Sequence, residues 1–231
     1  MRRRHLPTAV VLGIALAVGL ALPAAAAPGD LVWSNPYNAP GKAAWAWTQS
    51  IARSRDGRTV FAAISGKPTL GGSRDIITVA TNASTGARLW TADLAGTAGV
   101  DDYAAGIVAS PTADVVFVTG QLSTATGGRA WVTRAYSTGT GTPIWTRTFG
   151  GTGTRLDRAA AITIGPGGGR VYVTGQEDLG TGYAIRTIAY NAGTGATAWS
   201  SGTATTGSVD VRAVALNPLG NRLFVGAGMG T

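Results

Sequence analysis

Two adjacent carboxylate pairs, Asp101 with Asp102 and Glu177 with Asp178, are the residues of this chain best suited to ligate Ca²⁺ or do acid–base work. That chemistry needs carboxylates held about 5 to 10 Å apart around a substrate. Neighbours on a strand point to opposite faces, which weighs against either pair serving one ligand. Asp102 recurs as Asp157 and Asp210, at spacings of 55 and 53, and is read as a hydrogen-bonding residue at a turn or strand start of a repeated unit. Glu177 and Asp178 do not recur. They sit in the loop Gln176–Gly180, where ligand contacts concentrate, and stand as binding-loop candidates against the alternative of a solvated loop. Trp45, Trp47 and Trp131 are the aromatic candidates for a binding surface.

No catalytic residue emerges from this set. The chain has no Cys, and its one His is His5, so thiolate nucleophiles, disulfides and cysteine-based metal sites are excluded. Once a leader carrying His5 is removed, a Ser-His-Asp triad, a His zinc site and a His base are excluded as well. Lys42 and Lys67 are the only lysines, and nothing beside them supports Schiff-base chemistry. The stretches Gly150–Gly153 and Gly165–Arg170 resemble phosphate loops only in glycine count and read as turns.

The elements that must position these residues follow from an internal repeat. Trp33, Trp90, Trp145 and Trp199 fall 57, 55 and 54 residues apart, and Phe61, Phe117, Tyr172 and Phe224 fall 56, 55 and 52 apart. Within each unit the apolar runs are short, alternate with period two and are rich in Val, Ile, Thr and aromatics, which predicts strands and almost no helix. In the second unit the strands are expected at 104–109, 115–119, 131–136 and 143–148, joined by Pro- and Gly-rich turns. Four short strands in about 55 residues is the arithmetic of a propeller blade. A lone sheet cannot cover its own faces, so the in-phase tryptophans are expected as wedges between stacked blades.

At the N-terminus, Arg2–Arg4, the apolar run Ala9–Leu22 and the small residues Ala24–Ala27 predict an export leader over residues 1–27. Fourteen apolar residues fall short of the roughly 20 that cross a bilayer, so no membrane span is expected after cleavage. The whole chain carries 19 cationic and 11 anionic residues; removing Arg2, Arg3 and Arg4 leaves 16 against 11, a net +5. The remaining arginines, among them Arg88, Arg129, Arg147, Arg170 and Arg222, are scattered, so no nucleic-acid partner is expected.

The segments Ala80–Trp90, Ala135–Trp145 and Ala189–Trp199 resemble the A-x-D-x-x-T-G-x-x-x-W docking motif of quinoprotein-type β-propellers, which use pyrroloquinoline quinone (PQQ). The Val-Tyr-Val-Thr-Gly type strands also resemble the SBBP-type repeats of secreted bacterial proteins. The resemblance implies that each Thr-Gly turn, at Gly86, Gly141 and Gly195, orients a tryptophan between blades. The motif's Asp is replaced here by Asn82, Ser137 or Asn191, a change expected to weaken the turn. For a quinone dehydrogenase the resemblance would imply a Ca²⁺ held by carboxylate and amide side chains and often an adjacent-cysteine disulfide; no residue here matches that site.

The fold expected is all-β, a propeller of four-stranded antiparallel blades with about three and a half present. Residues 28–46 form an N-terminal segment with a lone outer strand at Trp33, and blades follow at about 47–95, 104–150 and 159–202, with a partial one at 211–231. Such an arrangement has open sheet edges, so it is expected to be part of a longer product or to close by self-association. The expected function is that of a secreted, non-catalytic binding or scaffold module for a protein, glycan or cell-wall ligand, with no cofactor. The alternative is a fragment of a quinone-dependent or other propeller enzyme whose site lies partly in missing blades, with PQQ and Ca²⁺ as cofactors.

Overall fold

A computed structural model describes residues 31–34, 37, 46–68, 72–97 and 99–230. The leader at 1–27 and Trp45 lie outside the described residues. The chain divides into two compact units, Met1–Val32 and Trp33–Thr231. Of the first, Leu31 and Val32 are described, and both are exposed. The second holds every strand.

Among the described residues there are fourteen strands and no helix. The first sheet runs β1 (Ala46–Arg53), β2 (Thr59–Gly66), β3 (Asp75–Asn82), β4 (Arg88–Leu94). The second runs β5 (Tyr103–Ala109), β6 (Val115–Ser123), β7 (Arg129–Ser137), β8 (Pro143–Gly150). The third runs β9 (Arg158–Ile164), β10 (Arg170–Asp178), β11 (Tyr183–Asn191), β12 (Thr197–Thr205), and β13 (Val209–Leu216) pairs with β14 (Leu223–Met229) alone. Every pairing is an antiparallel meander, and the first strands β1, β5, β9 and β13 pack side by side. These are three complete blades and half of a fourth: an open, incomplete propeller.

Each first strand carries a β-bulge at the same place, at Gln49, Ala105, Ala160 and Arg212. The bulges are 56, 55 and 52 residues apart, the spacing of Phe61, Phe117, Tyr172 and Phe224. They set the true phase of the repeat. Counted from them, Val209 occupies the place of Asp102 and Asp157, and Asp210 stands one residue later. The sequence spacing that made Asp210 a third copy of Asp102 is thus corrected by one residue.

One junction is used three times, twice between blades. The indole nitrogens of Trp33, Trp90 and Trp145 donate to the carbonyls of Ala83, Thr138 and Ala192, at 2.7, 2.8 and 2.9 Å. Each acceptor lies in a turn between third and fourth strands: Trp90 and Trp145 reach into the following blade, and Trp33 reaches onto the first. The ring lies over Gly86, Gly141 or Gly195, each with φ near +70°, where an added Cβ would come within 2.6 to 2.8 Å of the indole. Only glycine supplies both the left-handed backbone and the missing Cβ. Residues 31–34 are not in a strand, so Trp33 makes its junction from irregular chain. The turns keep their closure despite losing Asp: the Asn82 and Asn191 Oδ1 atoms each accept two backbone N–H groups at 2.9 to 3.0 Å.

Around these rings lies the core. Trp90 sits between Phe61 of its own blade and Tyr136 of the next, and Trp145 between Phe117 and Tyr190, with centroids 5.7 to 6.2 Å apart. Burying such a ring contributes about 4 kcal/mol at roughly 25 cal/mol per Å². Gly141→Val should therefore destabilise the protein by about 2–5 kcal/mol in urea unfolding, through forced positive φ and collision with Trp90. Gly139→Ala, two residues away with open space at its Cβ, should stay within about 0.5 kcal/mol of wild type.

Candidate functional site

The bulged residues open onto a cleft of about 270 Å³ between the first strands, lined in part by Gln49, Tyr103, Gln121, Arg158, Asp210 and Arg212. A bulge turns its extra side chain out of the ladder, and bulges recur beside binding sites for that reason. Asp210 is ion-paired with Arg212. The Gln121 Oε1 is buried and accepts no hydrogen bond among the described residues. Arg158 is exposed and available as a donor. The cleft thus offers guanidinium donors, an unused amide acceptor and a phenol, all able to hydrogen-bond a polar ligand.

Tyr103 connects the cleft to a stack of alternating rings and cations. The Arg74 guanidinium lies 4.5 Å from the Trp47 ring and 5.7 Å from Tyr103, and Arg129 lies 4.9 Å from the same tyrosine. Asp101 ties this stack down, accepting from the Arg74 backbone N–H at 2.8 Å and from its Nη1 at 2.9 Å. Of the two described aromatic candidates, Trp47, 44% exposed, is the one that reaches solvent.

The other candidates serve the scaffold. Trp131 is 1% exposed; its indole N–H donates to the Gln176 carbonyl at 3.1 Å and its edge packs on Phe149, so it belongs to the core between the second and third blades. This corrects its reading as a binding-surface residue: its position on β7 faces the next blade. Glu177 accepts from Arg186 Nε at 2.9 Å across the β10–β11 pair. Asp178 accepts from the backbone of Leu156 at 3.0 Å and of Gly180 at 2.8 Å, bonds that hold its carboxyl below the usual range. Both stand at the end of β10 rather than in a loop, Glu177 held by Arg186 of the neighbouring strand and Asp178 by loop backbone.

Asp102, which sequence reasoning assigned to a turn or strand start, is fully buried. It accepts the N–H of Gly96 at 2.5 Å, and the N–H and hydroxyl of Ser123 at 2.6 and 2.9 Å. Asp157 does the same for Gly151 and Asp178, at 2.7 and 2.8 Å. Each carboxylate ties the end of one blade to the second strand of the next. Burial pushes the Asp157 carboxyl up, against those two backbone bonds. The cleft residues Gln49, Gln121 and Arg158 were not singled out in the sequence; Gln49 is marked only by its bulge, which is invisible without the register, and nothing local marks Gln121 or Arg158.

No family model matches the chain, and no curated protein matches it. Among solved structures it is similar to BamB from Moraxella catarrhalis at 16% identity, covering 77% of this chain and 49% of that one, with a TM-score of 0.40. It is similar to the β-propeller domain of Cps50 (Swd1) from Myceliophteria thermophila at 15%, covering 78% and 49%, with a TM-score of 0.48. The quinohemoprotein alcohol dehydrogenase of Comamonas testosteroni matches at 11%, covering 80% and 41%, with a TM-score of 0.40. The chain spans about half the length of the first two.

No group of three or more His, Cys, Asp or Glu among the described residues could hold a metal ion, and the cleft's one carboxylate, Asp210, is already paired with Arg212.

Two measurements test these assignments. Trp131→Ala should cost about 3–5 kcal/mol, as for a core ring, whereas Trp47→Ala should cost about 1 kcal/mol, the lost cation–π contact. Asp75, at the start of β3, is pushed up to about 6 by burial and then by the charges of Asp102, Asp93 and Asp101. The folded chain therefore keeps a proton that the unfolded chain releases from about pH 4, and stability falls as pH rises toward 6. Asp75→Asn should raise Tm at about pH 7 and leave it unchanged near pH 3; an equal shift at both would assign the effect to packing.

Proposed function

We infer that this chain is an exported, non-catalytic propeller module that binds a polar, carboxylate-bearing protein or cell-wall glycan at the axial cleft. The observation that carries this reading is the lining itself: Arg158 as a donor, the unused Gln121 acceptor and the Tyr103–Arg74–Trp47 stack beside them. A guanidinium recognises carboxylate geometry, and the amide oxygen supplies the complementary acceptor for a hydroxyl or N–H. An exposed aromatic at the rim suits a sugar face or an apolar side chain. Export rests on the leader features of residues 1–27, and the net +5 after its removal favours an acidic partner.

The test is co-sedimentation with isolated cell-wall material and titration against acidic glycan fragments and acidic peptides. Saturable binding that weakens about tenfold or more in an Arg158→Ala/Gln121→Ala variant supports the reading. Binding indifferent to that variant overturns the cleft as the site. A Tm increase on adding the quinone with Ca²⁺ overturns the non-catalytic reading, and an exported product that does not begin near residue 28 overturns the leader.

A further inference from the structure

The joint between the first and second blades differs in charge from the joint between the second and third. By register, Asp75 stands where the next two blades carry the buried residues Ala130 and Ala184, and Asp93 where they carry Thr148 and Gly202. Asp101 precedes the buried Asp102 where Leu156 precedes Asp157. The first joint thus gathers four carboxylates, and the second, at the same positions, has only Asp157. Asp75 and Asp93 share one face of the β3–β4 pair, because Asp93 lies opposite Ile77 and strand residues two apart point the same way.

A cavity of about 520 Å³ opens at the first joint, lined in part by Lys67, Asp75, Thr97 and Asp101. Asp75 is partly buried there and has no ion-pair partner among the described residues. The charged groups around it are Asp93 from β4, Asp101 and Asp102 from the connection before β5, Lys67 from the end of β2 and its own neighbour Arg74, whose guanidinium is turned to Asp101 and Tyr103. Burial, and then the charges of Asp102, Asp93 and Asp101, push the Asp75 carboxyl up to about 6. Two of those carboxylates hold the structure beside them. Asp102 ties Gly96, just after β4, to Ser123 in the second blade. Asp101 holds Arg74, whose Nη1 donates to the Tyr103 hydroxyl at 3.1 Å, on the lining of the axial cleft. A negative charge on Asp75 repels both acceptors in a sheltered space, where the repulsion exceeds its value in water.

We propose that the joint between the first two blades is a proton-operated latch: with Asp75 protonated, Asp102 holds the two blades together and Asp101 holds Arg74 against Tyr103, and ionisation of Asp75 loosens both holds at the rim of the cleft. The second joint has Ala130 at the switching position and lacks the device. Local opening is the route, since hydrating the Asp75 carboxylate breaks the bonds of the β4–β5 connection before those of the strands. The closed joint binds the proton more tightly than the open one, so the latch closes toward acid and loosens as pH rises to about 6. It operates whatever the cleft binds.

The test is amide exchange of the ligand-free protein, followed residue by residue by NMR between about pH 5 and 7, with each rate divided by its random-coil rate at that pH. Protection should fall about fivefold or more at Gly96 and Ser123, which donate to Asp102, and at Arg74, which donates to Asp101, and level off above about pH 6. At Gly151 and Asp178, which donate to Asp157, it should change less than about twofold. The fall should vanish in Asp75→Asn and in Asp75→Ala, the latter placing there the residue that the other blades carry. The two joints are compared within the wild-type protein, so the result does not depend on a variant folding. Three results overturn the latch: flat protection at the first joint, an equal fall at both joints, or a fall that survives both substitutions.

Discussion

The structure depends on a flat indole closing over a glycine of a turn between third and fourth strands. A four-stranded sheet has two faces and covers neither, so its stability comes from its neighbours. Here the contact is a tryptophan that reaches the turn, fills the space a Cβ would take and donates its one polar hydrogen to a backbone carbonyl. The apolar burial and the hydrogen bond are satisfied by the same residue, so neither blade can shift without losing both. Arg147 reinforces the Trp145 junction, donating to the carbonyls of Gly195 and Thr194 at 2.9 and 3.0 Å.

Toward the first strands, a second tie fixes how the blades follow one another. Asp102 and Asp157 are buried carboxylates whose oxygens are taken up by backbone N–H groups from two blades. Buried acceptors of this kind are costly unless fully partnered, and partnered they hold their donors in one geometry. With the outer side held by tryptophans and the inner side by carboxylates, the bulged strands are left to present Gln49, Arg158 and Arg212 to the cleft. The positions free to vary chemically are those that neither tie uses.

Much of the blade pattern could be read from residues alone because it is local. Alternating apolar residues between glycine turns set the strands: those of the second blade, expected at 104–109, 115–119, 131–136 and 143–148, extend the same four runs by one to four residues in the structure. The periodic tryptophans marked the junctions for the same reason. The site was far less legible. Trp131, Glu177 and Asp178 looked available because they break the repeat, yet Trp131 is core, Glu177 pairs with Arg186 across two strands, and Asp178 accepts from loop backbone. Asp210 looked like a third Asp102 because spacing cannot see a bulge, which adds a residue to one strand without changing its composition.

By itself the sequence determined that the chain is built of antiparallel four-stranded units, which residue of each unit is the wedge, and that cysteine and histidine chemistry is absent from residues 28–231. These follow from side-chain type and period, properties a strand carries wherever it lies. The tertiary structure decided which tryptophans are covered and which is left open, which carboxylates are buried, and which side chains meet at the axis. Those outcomes turn on residues about 50 positions apart coming within 3 Å, and so on the registers and bulges that only the assembled blades define.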